Sequence, residues 1–214
     1  MTEGTIALDA NILLHLYRLG EHQRKEVLAV LTKDEVRSRL WLPYQVGLEY
    51  QRNRDKVAYD QSKVYDALDA AVQGLLNTAE EKIKAAIRDA NVREEALEPL
   101  AAAREAVQQR LKELGARHVI DYSAIQRHDP VRVALDAIFS DANQVGTKPE
   151  QQTLNERIAE SKKRYIDEVP PGYLDSKDKD RPEGDYLIWC ELLDFAADSG
   201  RALLFVTTLS VNLV

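Results

Sequence analysis

Short apolar runs alternate with amphipathic stretches along the chain. Thr5-Ile6-Ala7-Leu8 ends in Asp9-Ala10-Asn11, and Ile12-Leu13-Leu14 then opens a second apolar run. This pattern predicts a buried first strand and a turn into a helix. A further helix is expected over 21–31, where Val27, Leu28, Val30 and Leu31 give a helix-compatible spacing. Leu40-Trp41-Leu42, followed by Pro43, predicts a second buried strand. Proline suits the first turn of the next helix, where its missing N–H costs nothing. That helix starts near Tyr44 and carries Val46, Leu48 and Glu49 through Arg54. Two strands alternating with helices within 1–55 favour an α/β fold over an all-α one.

The texture changes over 56–114. Alanine, glutamate, lysine and leucine dominate, with Gly74 and Pro99 the sole glycine and proline. Val64, Leu68, Ala71, Leu75, Ala79 and Ile83 recur at helical steps, as do Leu97, Leu100, Val107, Leu111 and Leu114. Arg104 interrupts the second, coiled-coil-like seam. A turn is expected near Asn91 and Glu94, and Gly115 is expected to cap the second helix. The outcome is a long antiparallel helical hairpin, each arm roughly 35–40 Å at ~1.5 Å per residue. It is either a solvated arm that packs on itself or a surface for a protein partner or a homodimer.

Beyond the hairpin, 118–120 reads as a short extended segment and 131–139 as a helix. Residues 140–182 are polar, with a helix over 153–165 and a Pro170-Pro171-Gly172-Tyr173 turn whose aromatic suggests a packed loop. Gly184-Asp185 opens a helix over 186–197, capped by Gly200, and 202–206 reads as a buried strand.

Composition narrows the class. The chain has 214 residues, one cysteine and a formal net charge of −7. It is long enough to bury a core without a disulfide or a structural metal. The lone Cys190 excludes an intrachain disulfide framework and fits a reducing, cytoplasmic compartment. No run approaches the roughly 18 apolar residues of a membrane span, and the N-terminus lacks the basic region of a signal peptide. The acid excess argues against broad, charge-driven nucleic-acid binding. It leaves room for an enzyme that holds a cation on carboxylates.

Three acids are placed for such chemistry. Asp9 follows the first strand, and ligands of parallel α/β sheets gather at the carboxyl ends of strands. Glu49 sits among apolar neighbours on the helix after the second strand, and Asp185 opens a late helix behind a glycine. Each has an ordinary alternative: Asp9 and Asp185 as helix N-caps, Glu49 as the ion-pair partner of Arg52 or Arg54. Mg²⁺ and similar hard ions prefer oxygen ligands. No Walker or dinucleotide glycine loop is present. The histidines are scattered, and Cys190 reads as a packed core thiol.

The sequence resembles a known family at this point. Leu8-Asp9-Ala10-Asn11-Ile12-Leu13-Leu14 is similar to the opening strand-turn motif of PIN domains. Leu16-Tyr17-Arg18, Leu40-Trp41-Leu42-Pro43-Tyr44-Gln45-Val46 with Glu49 and Arg52-Asn53-Arg54 resemble a bacterial PIN-like branch. So do Lys163-Arg164-Tyr165, Pro170-Pro171-Gly172-Tyr173-Leu174-Asp175, Lys177 and Gly184-Asp185-Tyr186-Leu187-Ile188-Trp189. The resemblance implies a Rossmann-like parallel sheet flanked by helices, with 1–55 and 116–214 as the nuclease core and 56–115 as the hairpin insertion. It implies a Mg²⁺- or Mn²⁺-dependent endoribonuclease in which Asp9, Glu49 and Asp185 hold the metal. Asn11 orients the first acid or a metal-bound water. Arg52, Arg54, Lys163, Arg164 and Lys177 are implied phosphate contacts, each otherwise an ordinary surface charge. A toxin or phage-defence role follows from the growth-inhibiting ribonucleases of the family.

The resemblance also breaks at one place. The branch continues its last strand into Val-Thr-Asp, whereas Val206-Thr207 is here followed by Thr208 and a short apolar tail. The fourth acid is absent, and the core is expected to end early, with an open sheet edge. A catalytically weakened or inactive member that acts through its helical arm is therefore the alternative. A haloacid dehalogenase-type phosphatase is disfavoured, because it wants an aspartate where Asn11 stands.

Overall fold

The first apolar run becomes the centre of a parallel sheet. In a computed structural model, which describes residues 4–174 and 181–208, β1 (Thr5–Leu8) lies between β2 (Leu40–Trp41) and β3 (Leu203–Val206). Both pairings are parallel, with Ile6 opposite Leu40 on one side and Leu204 on the other. A strand paired on both edges satisfies all its backbone groups internally, and this suits the buried Ala7 and Leu8. Leu42 extends the β2 edge by a parallel bridge to Val145, and Leu42 N–H donates to Gln144 O at 2.7 Å. Lys177 and the tail beyond Thr208, on which two of the expectations fall, lie outside the described residues.

The helices follow in chain order: α1 (Ala10–His15), α2 (Glu21–Leu31), α3 (Asp34–Arg37), α4 (Tyr44–Ser62), α5 (Val64–Ala86), α6 (Ala90–His118), α7 (Tyr122–Arg127), α8 (Pro130–Ile138), α9 (Gln151–Ile166) and α10 (Gly184–Ser199). The result is an α/β architecture with a long helical hairpin. Among the described residues, no helix is long and apolar enough to cross a membrane. The chain divides into two compact units. One holds 1–16, 25–55 and 129–214; the other holds 17–24 and 56–128.

The sheet belongs to the first unit. Leu13, Val46, Val131, Ile138, Ile188 and Leu192 are buried in it. Trp41 of β2 stacks on Phe195 of α10, with centroids 4.2 Å apart. Asp129 caps α8, accepting from Val131 and Arg132 N–H at 3.0 Å, and its other oxygen takes Arg54 Nη1 at 2.9 Å. The strand expected to be buried at 202–206 is instead an edge strand, and Leu204 is 58% exposed. Among the described residues nothing pairs with its far side. An apolar run cannot by itself distinguish a central strand from an edge.

The hairpin lies in the second unit and departs from expectation in three details. Helix α4 runs on past Arg54 to Ser62. The turn falls at 87–89, before Asn91, because Asp89 is the N-cap: its carboxylate accepts from Asn91 and Val92 N–H at 2.9 and 3.1 Å. Gly115 lies inside α6 rather than capping it. A Cβ there would meet the Tyr65 ring at 3.4 Å, an ordinary van der Waals contact. The Tyr65 hydroxyl meets His118 Nδ1 at 3.0 Å, and His118 Nε2 meets Arg18 O at 2.9 Å. Arg104, the break in the apolar seam, bonds Gln73, Asn77 and Glu80 of α5. It holds the Glu80 carboxyl below the usual range. Three partners on one facing helix make Arg104 a register lock between the two arms.

Asp129 combines a cap with a partly buried ion pair. Asp129→Ala is expected to destabilise the protein by about 2–3 kcal/mol in urea denaturation. Leu75→Ala, at a position 72% exposed, is expected to change stability by less than ~0.5 kcal/mol.

Candidate functional site

Asp9 stands where the central strand ends. Its N–H still donates to Val206 O at 2.9 Å, so it continues the parallel pairing by one residue. Leu8 and Val206 are in register, and this sets the next residues, Asp9 and Thr207, side by side at the carboxyl edge. Thr207 Oγ1 donates to Asp9 Oδ2 at 2.6 Å, and Asn11 Nδ2 approaches the same oxygen at 3.4 Å. Asp9 occupies the N-cap position of α1, but its side chain makes no capping bond. The carboxylate is thus held by a hydroxyl and an amide at the edge of the sheet. The expected Asn11 contact is present, and Thr207 joins it; only the β1–β3 register reveals Thr207 as a neighbour.

Glu49 and the start of α10 form a second assembly. Gln45 and Glu49 are one helical turn apart on α4, and Gln45 Nε2 donates to Glu49 Oε1 at 2.8 Å. Across from them lies Gly184, where an ideal Cβ would run into Glu49 Oε1 and lie 3.4 Å from Glu49 Cδ. Only glycine lets the carboxylate approach this backbone. Arg54, one of the two arginines considered as an ion-pair partner for Glu49, takes Asp129 and Gln51.

Asp185 follows Gly184 in the first turn of α10, where negative charge faces the positive end of the helix dipole. The N-cap position is Glu183, so the capping alternative for Asp185 does not hold. The Pro-Pro-Gly-Tyr turn lies on Asp185. Gly172 has φ 87°, and a Cβ on it would sit 3.0 Å from Asp185 Cβ, 3.3 Å from Asp185 Oδ2 and 2.8 Å from the Tyr165 hydroxyl. Tyr165 OH donates to Pro182 O at 2.7 Å. Burial pushes the Tyr165 phenol up to about 12, and the negative charges of Asp185 and Glu183 add to this. Tyr165 is therefore a neutral donor throughout the neutral range.

Arg164 donates to Pro170 O at 2.6 Å and lies 5.3 Å over the Tyr186 ring, while its Nε is buried with no hydrogen-bond partner among the described residues. It is engaged as a bracket for the turn. Lys163 is exposed beside Glu160, 3.8 Å away, and Arg52 is exposed. Cys190 is only half-buried, which corrects the core-thiol expectation; burial raises its pKa. The seam of α10 explains this, because Cys190 and the 45%-exposed Trp189 point away from the buried Leu187, Ile188 and Leu192.

Glu191 is the residue that sequence reasoning missed. It is 9% exposed on α10, and its two carboxylate oxygens lie 3.2 and 3.3 Å from Gln45 N. Burial raises its pKa to about 7, against the opposing pull of the Gln45 and Tyr44 N–H groups. A glutamate flanked by apolar residues was the available signal, and Asp185 drew attention from it.

Among the described residues, no group of three or more His, Cys, Asp or Glu side chains converges to hold a metal ion. Asp9 is gathered with Asn11 and Thr207, Glu49 lies against Gly184, and Asp185 lies against Gly172. The donor chemistry nevertheless fits a hard cation. All the candidate ligands are oxygen atoms, and Mg²⁺ usually takes one or two carboxylates and keeps several waters.

A PIN-like domain family matches residues 5–209. The chain belongs to the PIN-like domain family, whose domains are generally nucleases and commonly use Mg²⁺ or Mn²⁺. No curated protein and no solved structure matches it.

Three outcomes follow from the glycine environments and the buried glutamate. Gly184→Ala is expected to turn the end of the Glu49 side chain aside and to change thermal stability by less than about 1 kcal/mol, because the atom in the way ends a flexible side chain. Gly74→Ala, in open space on α5, is expected to stabilise by about 0.5–1 kcal/mol. Glu191 binds its proton more tightly when folded (about 7) than at its ordinary value of 4.5. Its contribution is therefore complete below about pH 4.5 and is lost as pH rises through about 7. Urea titrations across this window are expected to show that fall in wild type, and a flatter profile in Glu191→Gln.

Proposed function

We propose that this protein is a metal-dependent endoribonuclease that hydrolyses RNA phosphodiester bonds, with Asp9, Glu49 and Asp185 holding Mg²⁺ or Mn²⁺. The observation that carries the reading is the carboxylate of Asp9 at the carboxyl end of the central strand, held by Thr207 and Asn11. That edge is where ligands of parallel α/β sheets bind. Such an ion, when bound, lowers the pKa of a water nucleophile and stabilises charge on the phosphate. The chain's own residues supply the rest. Asn11 and Thr207 fix the Asp9 carboxylate, Gln45 fixes Glu49, and the Pro-Pro-Gly-Tyr turn covers one side of Asp185. Arg52 and Lys163 are the described basic residues we assign to phosphate contact. Arg54 and Arg164 serve structural partners first, and Lys177 completes the sequence-derived set.

The domain division we propose is 1–55 with 116–214 as the nuclease core and 56–115 as an inserted hairpin. The cellular role we attach to it is that of a cytoplasmic toxin or phage-defence effector. A second reading, an interaction module acting through the hairpin, draws support from the absence of a three-carboxylate cluster among the described residues.

Purified protein incubated with structured and unstructured RNA decides between them. Cleavage is expected with Mn²⁺, to stop with EDTA, and to fall by at least ~100-fold in Asp9→Asn. EDTA-insensitive cleavage, or full activity in Asp9→Asn, would sink the metal-dependent reading at these residues, and no cleavage with either ion would leave the interaction module.

A further inference from the structure

Helix α4 begins with unmet backbone donors. The Pro43 carbonyl accepts the first helical bond, from Gly47 N–H at 3.1 Å, so Pro43 stands at the N-cap. Proline has no side-chain acceptor for the first N–H groups of the helix. A carboxylate distant in sequence fills that role: Glu191 Oε1 and Oε2 lie 3.2 and 3.3 Å from Gln45 N, across 146 residues. The Tyr44 N–H acts on the same carboxylate.

Gln45 then faces two ways. Its backbone N–H serves Glu191, and its side-chain Nε2 donates to Glu49 Oε1 at 2.8 Å. Glu49 is pressed against Gly184, which lies two helical turns before Glu191 on the same face of α10. Two helices are thus joined by a closed circuit that runs from Glu191 to Gln45, to Glu49, to Gly184 and back along α10. A carboxylate is costly to bury unless its acceptors are used, and here both oxygens are used on the N-terminus of α4.

We propose that Glu191 is a positioning residue, which fixes Gln45 and through it holds the Glu49 carboxylate beside Gly184 at the start of α10. Its functional meaning rests on the nuclease reading. The charged groups around Glu191 leave it the cap of α4 rather than an ion-pair partner. Arg157 of α9 reaches Asp194 of α10 at 2.5 Å, and Asp194, Asp198 and Glu150 complete the surroundings. On the α4 side it meets backbone N–H groups.

The full chain is tested as Glu191→Ala, Glu191→Gln and Gln45→Leu. The first readouts need neither metal nor RNA: hydrogen exchange of the Gln45 side-chain amide, and the Glu49 carboxyl ¹³C shift at one fixed pH. In Glu191→Ala the amide is expected to exchange about tenfold faster and the Glu49 signal to move. Glu191→Gln keeps an acceptor and is expected to restore both. Gln45→Leu is expected to move the Glu49 signal while keeping the contact between Glu191 and the α4 backbone. The Mn²⁺ concentration for half-maximal RNA cleavage is expected to rise in Glu191→Ala and Gln45→Leu and to return in Glu191→Gln. An unchanged Glu49 signal in Glu191→Ala, or a Glu191→Gln protein no better than the alanine variant, overturns the proposal. If Glu191→Ala does not fold, an unmoved Glu49 signal in Gln45→Leu overturns it instead. Wild-type protein that cleaves no RNA strikes the nuclease reading alone, since the proposal is then judged on the two spectroscopic readouts.

Discussion

The parallel pairing of β1 with a strand on each side is the constraint on which the rest depends. A four-residue strand has few backbone groups, and it can be buried only if both of its edges are hydrogen-bonded. Pairing with β2 and β3 meets that need and aligns three carboxyl ends at one edge. Asp9 and Thr207 are brought together by this register and by nothing local. The helices that follow β2 and precede β3 are placed by the same pairing. Those helices, α4 and α10, carry Glu49 and Asp185.

Backbone proximity does much of the work at the start of α10. Gly184 admits the Glu49 carboxylate, and Gly172 admits Asp185 and the Tyr165 hydroxyl, each at a distance that a methyl group would forbid. Acids held this way are oriented by the main chain, which is stiffer than a side-chain contact. The same economy runs through the polar interior. Asp129 serves a cap and an arginine, Gln45 serves two carboxylates with two different donors, and Arg104 spans three residues of the facing arm. Each of these residues would look unremarkable in isolation, because its value lies in the second partner.

The elements that were legible in the sequence are those with local causes. The strand at Thr5, the helix after Pro43, the left-handed cap at Gly200 with φ 63° and the helix opening at Gly184 all follow from apolar runs, proline and glycine. The hairpin was legible from its heptad-like spacing, although its turn sat a few residues earlier, where Asp89 out-competes Asn91 as the cap. Asp9 and Asn11 were recognisable from two residues of spacing. Glu191 and the task of Arg54 were not, because their partners lie 146 and 75 residues away; Arg164 reaches Pro170 only six residues on, through a turn that no periodicity signals.

The sequence by itself determined the class: an α/β chain with a short buried first strand, a helical arm, and acids at the end of that strand and at the start of a late helix. Periodicity and punctuation are local properties, and they survive reading one residue at a time. Only the tertiary structure decided which strand is an edge, which arginines are already engaged and which acid is buried. The edge strand and the buried acid depend on contacts across more than a hundred residues, such as Thr207 with Asp9 and Glu191 with Gln45. Burial and hydrogen-bond geometry exist only once distant segments share a core.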